Sequence, residues 1–66
     1  MKKKYLKCAS CMYMLMRLLE TKTFNKDDII NRLEISELDY YRYRSEVLNM
    51  LHDFGYYNIL EEIKII

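Results

Sequence analysis

Three features of this chain carry residues that could do chemistry. Cys8 and Cys11 form a single C-x-x-C pair. A zinc site needs about four ligands, and no second pair exists; the lone His52 lies far along the chain. A thioredoxin-like motif would need a βαβ context. The pair therefore reads as two reduced cysteines on a helix. His52 falls near a helix end, where the dipole favours it without any catalytic role. The third feature is "ISELDYYRYR", Ile35 to Arg44, in which tyrosines alternate with arginines behind two acids, Glu37 and Asp39. Such residues can grip nucleic acid or line the face of an ordinary amphipathic helix. There is no Ser/His/Asp set and no glycine-rich phosphate loop. A short helical bundle also leaves little volume for a pocket. No enzymatic activity, cofactor or metal is expected.

The elements that must position "ISELDYYRYR" follow from composition and pattern. Residues 1–66 make one small domain, 52% apolar, with no proline and one glycine, Gly55. A chain of this size buries only about 60% of its unfolded surface, so its stability is expected to be marginal. With so little turn punctuation, most of it can be helical. The first helix should run from about Lys4 to Glu20. Its stripe would be Tyr5, Ala9, Met12, Met16 and Leu19, widened by Cys8 and Leu15. Asn25 is a good N-cap for a second helix from Lys26 to about Leu33, with Asp27 and Asp28 in its first turn. Phe24 and Ile29 are placed to form a hydrophobic staple.

The same grammar then repeats. Ile35 precedes the cap, Ser36 is the cap, and Asp39 and Tyr40 hold the third and fourth positions. A third helix starts at Glu37, with an apolar face of Tyr40, Tyr43, Val47, Leu51 and Phe54, flanked by Leu48. Gly55 ends it, because only glycine takes the left-handed conformation without strain. Arg44, beside that face, would snorkel or pair with Glu20 or Asp28. The tail "YYNILEEIKII" fits a strand or a helix, and the alternation of Ile63 and Ile65 favours extended structure. The expected fold is mainly α: a three-helix helix-turn-helix bundle with a short C-terminal β wing.

Charge adds a direction. The net charge is only +1, but residues 1–19 carry Lys2, Lys3, Lys4, Lys7 and Arg17 and no acid. A basic arm on a mildly acidic body can follow phosphates or anionic lipid, or simply stay solvated. The apolar run from Cys8 to Met16 is far shorter than the ~20 residues that span a bilayer. A cytoplasmic protein outside the membrane is expected.

From Met16 to Gly55 the chain resembles the winged helix-turn-helix domain at the N-terminus of WYL-domain transcriptional regulators. The resemblance rests on "LEIS", then "YYRYR", "VLNML" and "FGYY". It implies double-stranded DNA as partner, with the third helix in the major groove. On that pattern Ser36 caps the recognition helix near a phosphate, Tyr41 and Arg42 face DNA, and Glu37 and Leu38 point at base edges. Glu37 stands where the family usually has a basic or polar residue, Asp39 where it has threonine or serine, and Glu34 where it has glycine. Arg44 stands where it has an apolar one. Lys22 and Lys26, near the start of the second helix, would bind backbone. A homodimer through the C-terminal tail or the first helix would match a palindromic site. The acids on the third helix leave a second expectation open: a protein-interaction module that keeps the scaffold without reading DNA.

Overall fold

A computed structural model describes residues 5–65. Lys2, Lys3 and Lys4 of the basic arm, and Ile66 of the tail, lie outside the described residues. The elements run α1 (Lys7–Thr21), β1 (Thr23–Phe24), α2 (Lys26–Leu33), α3 (Glu37–Asp53), α4 (Tyr57–Glu62) and β2 (Lys64–Ile65). The protein is mainly helical: α1, α2 and α3 form the bundle, and a short C-terminal β element closes it.

The helix starts follow side-chain chemistry. Asn25 accepts a hydrogen bond from the Asp28 amide at 3.1 Å, and Ser36 accepts one from the Asp39 amide at 3.1 Å. Each satisfies a donor that the first helical turn leaves unpaired. The two staples close beneath the caps, since Phe24, Ile29, Ile35 and Tyr40 are all buried. Helix α3 ends in a Schellman motif. The Tyr56 amide donates to the Leu51 carbonyl at 2.8 Å and the Gly55 amide to that of His52 at 3.1 Å, with Gly55 at φ 81°.

The core joins Met14 and Leu18 of α1, Phe24 of β1, Ile29 and Leu33 of α2, and Ile35. Tyr40, Tyr43, Val47 and Leu51 of α3 complete it. The expected α3 face is right except for Phe54, which projects into solvent beyond the last turn. The expected α1 face is wrong in phase. Met12, Met16 and Leu19 are exposed, while Ser10, Met14 and Leu18 are buried. Packing of Met14 and Leu18 into the shared core sets this rotation, and an exposed ion pair from Lys7 to Glu46 at 2.6 Å joins the start of α1 to the middle of α3. Apolar residues surround α1 almost completely, so more than one stripe satisfies a helical period.

The tail is both things its pattern allowed. Residues Tyr57–Glu62 form α4, and Ile59, Leu60 and Ile63 pack against the core. The last described residues form a strand that pairs parallel with β1, Thr23 opposite Lys64 and Phe24 opposite Ile65.

Two non-glycine residues, Lys22 and Glu34, end α1 and α2 in the left-handed region, at φ 58° and 53°. Left-handed backbone costs an L-residue about 1–2 kcal/mol. Glu34→Gly is expected to stabilise the fold by about 1 kcal/mol, read as a higher urea midpoint with unchanged slope. An unchanged or lower midpoint would contradict this account of the turn.

Candidate nucleic-acid interface

The connection between α2 and α3 is three residues long, and each has one task. Glu34 turns the chain, Ile35 enters the core, and Ser36 caps α3. With Ile35 and Tyr40 both anchored, the rotation of α3 about its own axis is set. Tyr40, Tyr43, Val47 and Leu51 point inward. Glu37, Leu38, Tyr41, Arg42 and Ser45 are left outward, Leu38 at 61% exposure.

Glu37 does not stand alone on this surface. Lys26 Nζ lies 3.3 Å from Glu37 Oε1, and the Tyr41 hydroxyl donates to the same oxygen at 3.3 Å. The Lys26 ammonium also lies 5.9 Å from the centre of the Tyr41 ring. The Arg44 guanidinium lies over Tyr41 at 5.1 Å and over Tyr40 at 5.5 Å. The result is a cluster in which two cations lie close to one aromatic ring and a carboxylate neutralises the farther of them, Lys26. Arg42 makes no ion pair among the described residues. Lys7 and Glu46 stand across a shallow groove of about 650 Å³ from Tyr41 and Arg42. The chain therefore enters α1 beside the outward face of α3.

The expected site residues divide accordingly. Ser36, Glu37, Leu38, Tyr41, Arg42 and Lys26 share one surface. Lys22 does not join them, because it caps α1 and pairs with Glu62 of α4 at 3.2 Å. Arg44 does not reach Glu20 or Asp28; Arg17 takes both, at 3.4 and 4.0 Å. The stacking role of Arg44 went unread, although its spacing from Tyr40 and Tyr41, four and three residues, is the signal for it. Lys7 and Glu46, 39 residues apart, offer no local signal.

The other chemical candidates are quiet. Cys8 and Cys11 are both free thiols. Burial, the largest cause, pushes the Cys11 thiol up, away from the reactive thiolate. His52 is exposed and packs its ring edge to face with Tyr57 at 5.5 Å. Among the described residues no cluster of three His, Cys, Asp or Glu could hold a metal, and no helix is long and apolar enough to cross a membrane. What the geometry defines is a helix-turn-helix unit with an outward aromatic and arginine surface. The chain matches no protein-family model, no curated protein and no solved structure.

The hydrogen bond to Glu37, the largest cause, raises the Lys26 pKa above the ordinary lysine value. A raised lysine pKa keeps the pair formed at neutral pH; its contribution is lost only as pH climbs through that raised value. In Glu37→Gln the Lys26 titration, followed by NMR at its ammonium, is expected to fall back toward the ordinary value. An unchanged titration would mean that Lys26 and Glu37 do not pair in solution.

Proposed function

We propose that the protein binds double-stranded DNA as a small transcriptional regulator, with the N-terminal half of α3 in the major groove. One observation carries this reading: the outward surface of α3 presents Arg42, which makes no ion pair among the described residues, beside Tyr41, while the opposing carboxylate is neutralised by Lys26. Arg42 is placed to donate to a guanine edge or a phosphate. Tyr41 offers a ring flank and a hydroxyl. Leu38 supplies an apolar contact of the kind that recognises a thymine methyl. Ser36 and the amides of the first turn of α3 form a phosphate seat. On DNA, Lys26 can exchange Glu37 for a phosphate, which leaves Glu37 to accept from a cytosine amino group. The lysines preceding α1 would follow the backbone.

A second reading has its own support. Lys7, Arg17, Lys22, Lys26 and Arg32 are each held by an acid of the same chain. Phosphate binding must displace those pairs, whereas a protein partner can use the surface as it stands. On this reading α3 is a protein-interaction face on a helix-turn-helix scaffold.

Mobility shifts on mixed duplex DNA at two salt concentrations separate the readings. Binding is expected at low salt and should weaken steeply as salt rises, because cations on phosphates release counterions. Arg42→Ala should weaken it by roughly 1–3 kcal/mol. Glu37→Gln should strengthen it, since Lys26 is released and one repelling charge is gone. No shift at low salt would sink the DNA reading. A shift that ignores Arg42→Ala would show that another face meets the duplex.

A further inference from the structure

The thiols of Cys8 and Cys11 take no part in the proposed function, and neither do the methionines around them. Cys8 is exposed and Cys11 partly so. On a helix, the residues three and four positions ahead are the surface neighbours of a side chain, with Cβ atoms about 5–6 Å apart. For Cys8 those two neighbours are Cys11 and Met12. One patch of α1 therefore gathers three sulfur side chains by its own geometry. A fourth comes from α3. A groove of about 340 Å³ lies between the two helices, and Cys8, Cys11, Met12 and Met50 all line it. Met12 and Met50 are 63% and 44% exposed, so neither is locked in the core. Both are unbranched side chains with three rotatable bonds, able to swing toward a ligand.

What else lines the groove decides its chemistry. Leu15 is apolar and packs against the core. Lys7 and Glu46 reach the lining but hold each other at 2.6 Å. No histidine lines it. Sulfur is thus the uncommitted side-chain donor that the groove offers. Among the described residues no three His, Cys, Asp or Glu cluster as zinc or a harder cation would require. Thiolate and thioether sulfurs instead select a soft cation, copper(I) above all.

We propose that this groove is a copper(I) site, with Cys8 and Cys11 binding as thiolates and Met12 and Met50 as thioethers. Each bound ion displaces two thiol protons to solvent, and copper(I) is neither oxidised nor reduced in the process. Met50 makes the site tertiary: it draws α3 into the coordination of an ion that α1 alone could hold only by one turn.

Anaerobic titration of the reduced full chain with copper(I), in competition with a chromogenic copper(I) chelator, tests this. No DNA is present, so the outcome is independent of whether DNA binds. One ion per 8.2 kDa chain is expected, with only sulfur neighbours in copper K-edge absorption. Cys8→Ser should weaken binding by about a hundredfold, and Met12→Leu and Met50→Leu by roughly tenfold each, the range over which residues that hold or orient a metal act. Met16→Leu, one turn farther along α1 and outside this lining, should bind as the wild type does. Helical circular dichroism checks each fold; Cys8, Met12 and Met50 are exposed, so the replacements leave the core intact. No binding, an ion shared by two chains, or nitrogen or oxygen neighbours would overturn the proposal. So would a folded Met12→Leu or Met50→Leu protein that binds at wild-type strength, an equal loss in Met16→Leu, or zinc(II) held more tightly than copper(I).

Discussion

Everything on the outward surface of this protein depends on the burial of Ile35. It is the middle residue of a three-residue connection, and its side chain is almost wholly withdrawn from water. Once it is seated, Ser36 can cap only one helix direction, and Tyr40 falls into the core four residues later. The rotation of α3 then has no freedom left. A helix turned by one residue would bury Tyr41 and expose Tyr40, and the surface would be a different one. The strained turn at Glu34 and the cap at Ser36 are the local conditions under which Ile35 can enter.

The electrostatics of the molecule are arranged around contacts rather than around net charge. Most described cations meet an acid of another element or an adjacent turn. Lys7–Glu46 joins α1 to α3, Arg17–Asp28 joins α1 to α2, and Lys26–Glu37 joins α2 to α3. Exposed pairs of this kind stabilise little individually, at most about 1 kcal/mol. Their more consequential effect is on recognition. Each sets the energy an incoming phosphate or carboxylate must offer before the cation is released. Arg44, set against the Tyr40 and Tyr41 rings, lies outside this exchange, and Arg42 makes no ion pair among the described residues.

How much of this was legible in the sequence depended on how local the signal was. Asn25, Ser36 and Gly55 were readable because a cap acts within one turn. The α3 stripe was readable because charged residues flank it on both sides. The phase of α1 was not, since Met12, Met14 and Met16 are equally apolar and only the contact with α3 selects among them. Phe54 was misread for a related reason: it continues the spacing but lies past the point where α3 leaves the core. The surface of Ser36, Glu37, Leu38, Tyr41 and Arg42 followed once Tyr40 was placed inward. Lys22 was lost to the tail, because nothing near it in the chain announces Glu62.

The parallel pairing of β1 with β2 has a consequence for how the domain comes together and opens. It joins segments some forty residues apart in the chain, around a loop that contains α2, α3 and α4. Closing such a loop costs entropy that two residue pairs return only once the bundle already holds the ends close. The tail is therefore the last part to dock and the first to lift. Its opening removes Ile59, Leu60 and Ile63 from the core margin while leaving the turn at Ile35 and the α2–α3 junction in place. The protein thus carries a low-energy partial unfolding step confined to one end, uncoupled from the surface on which α3 is displayed.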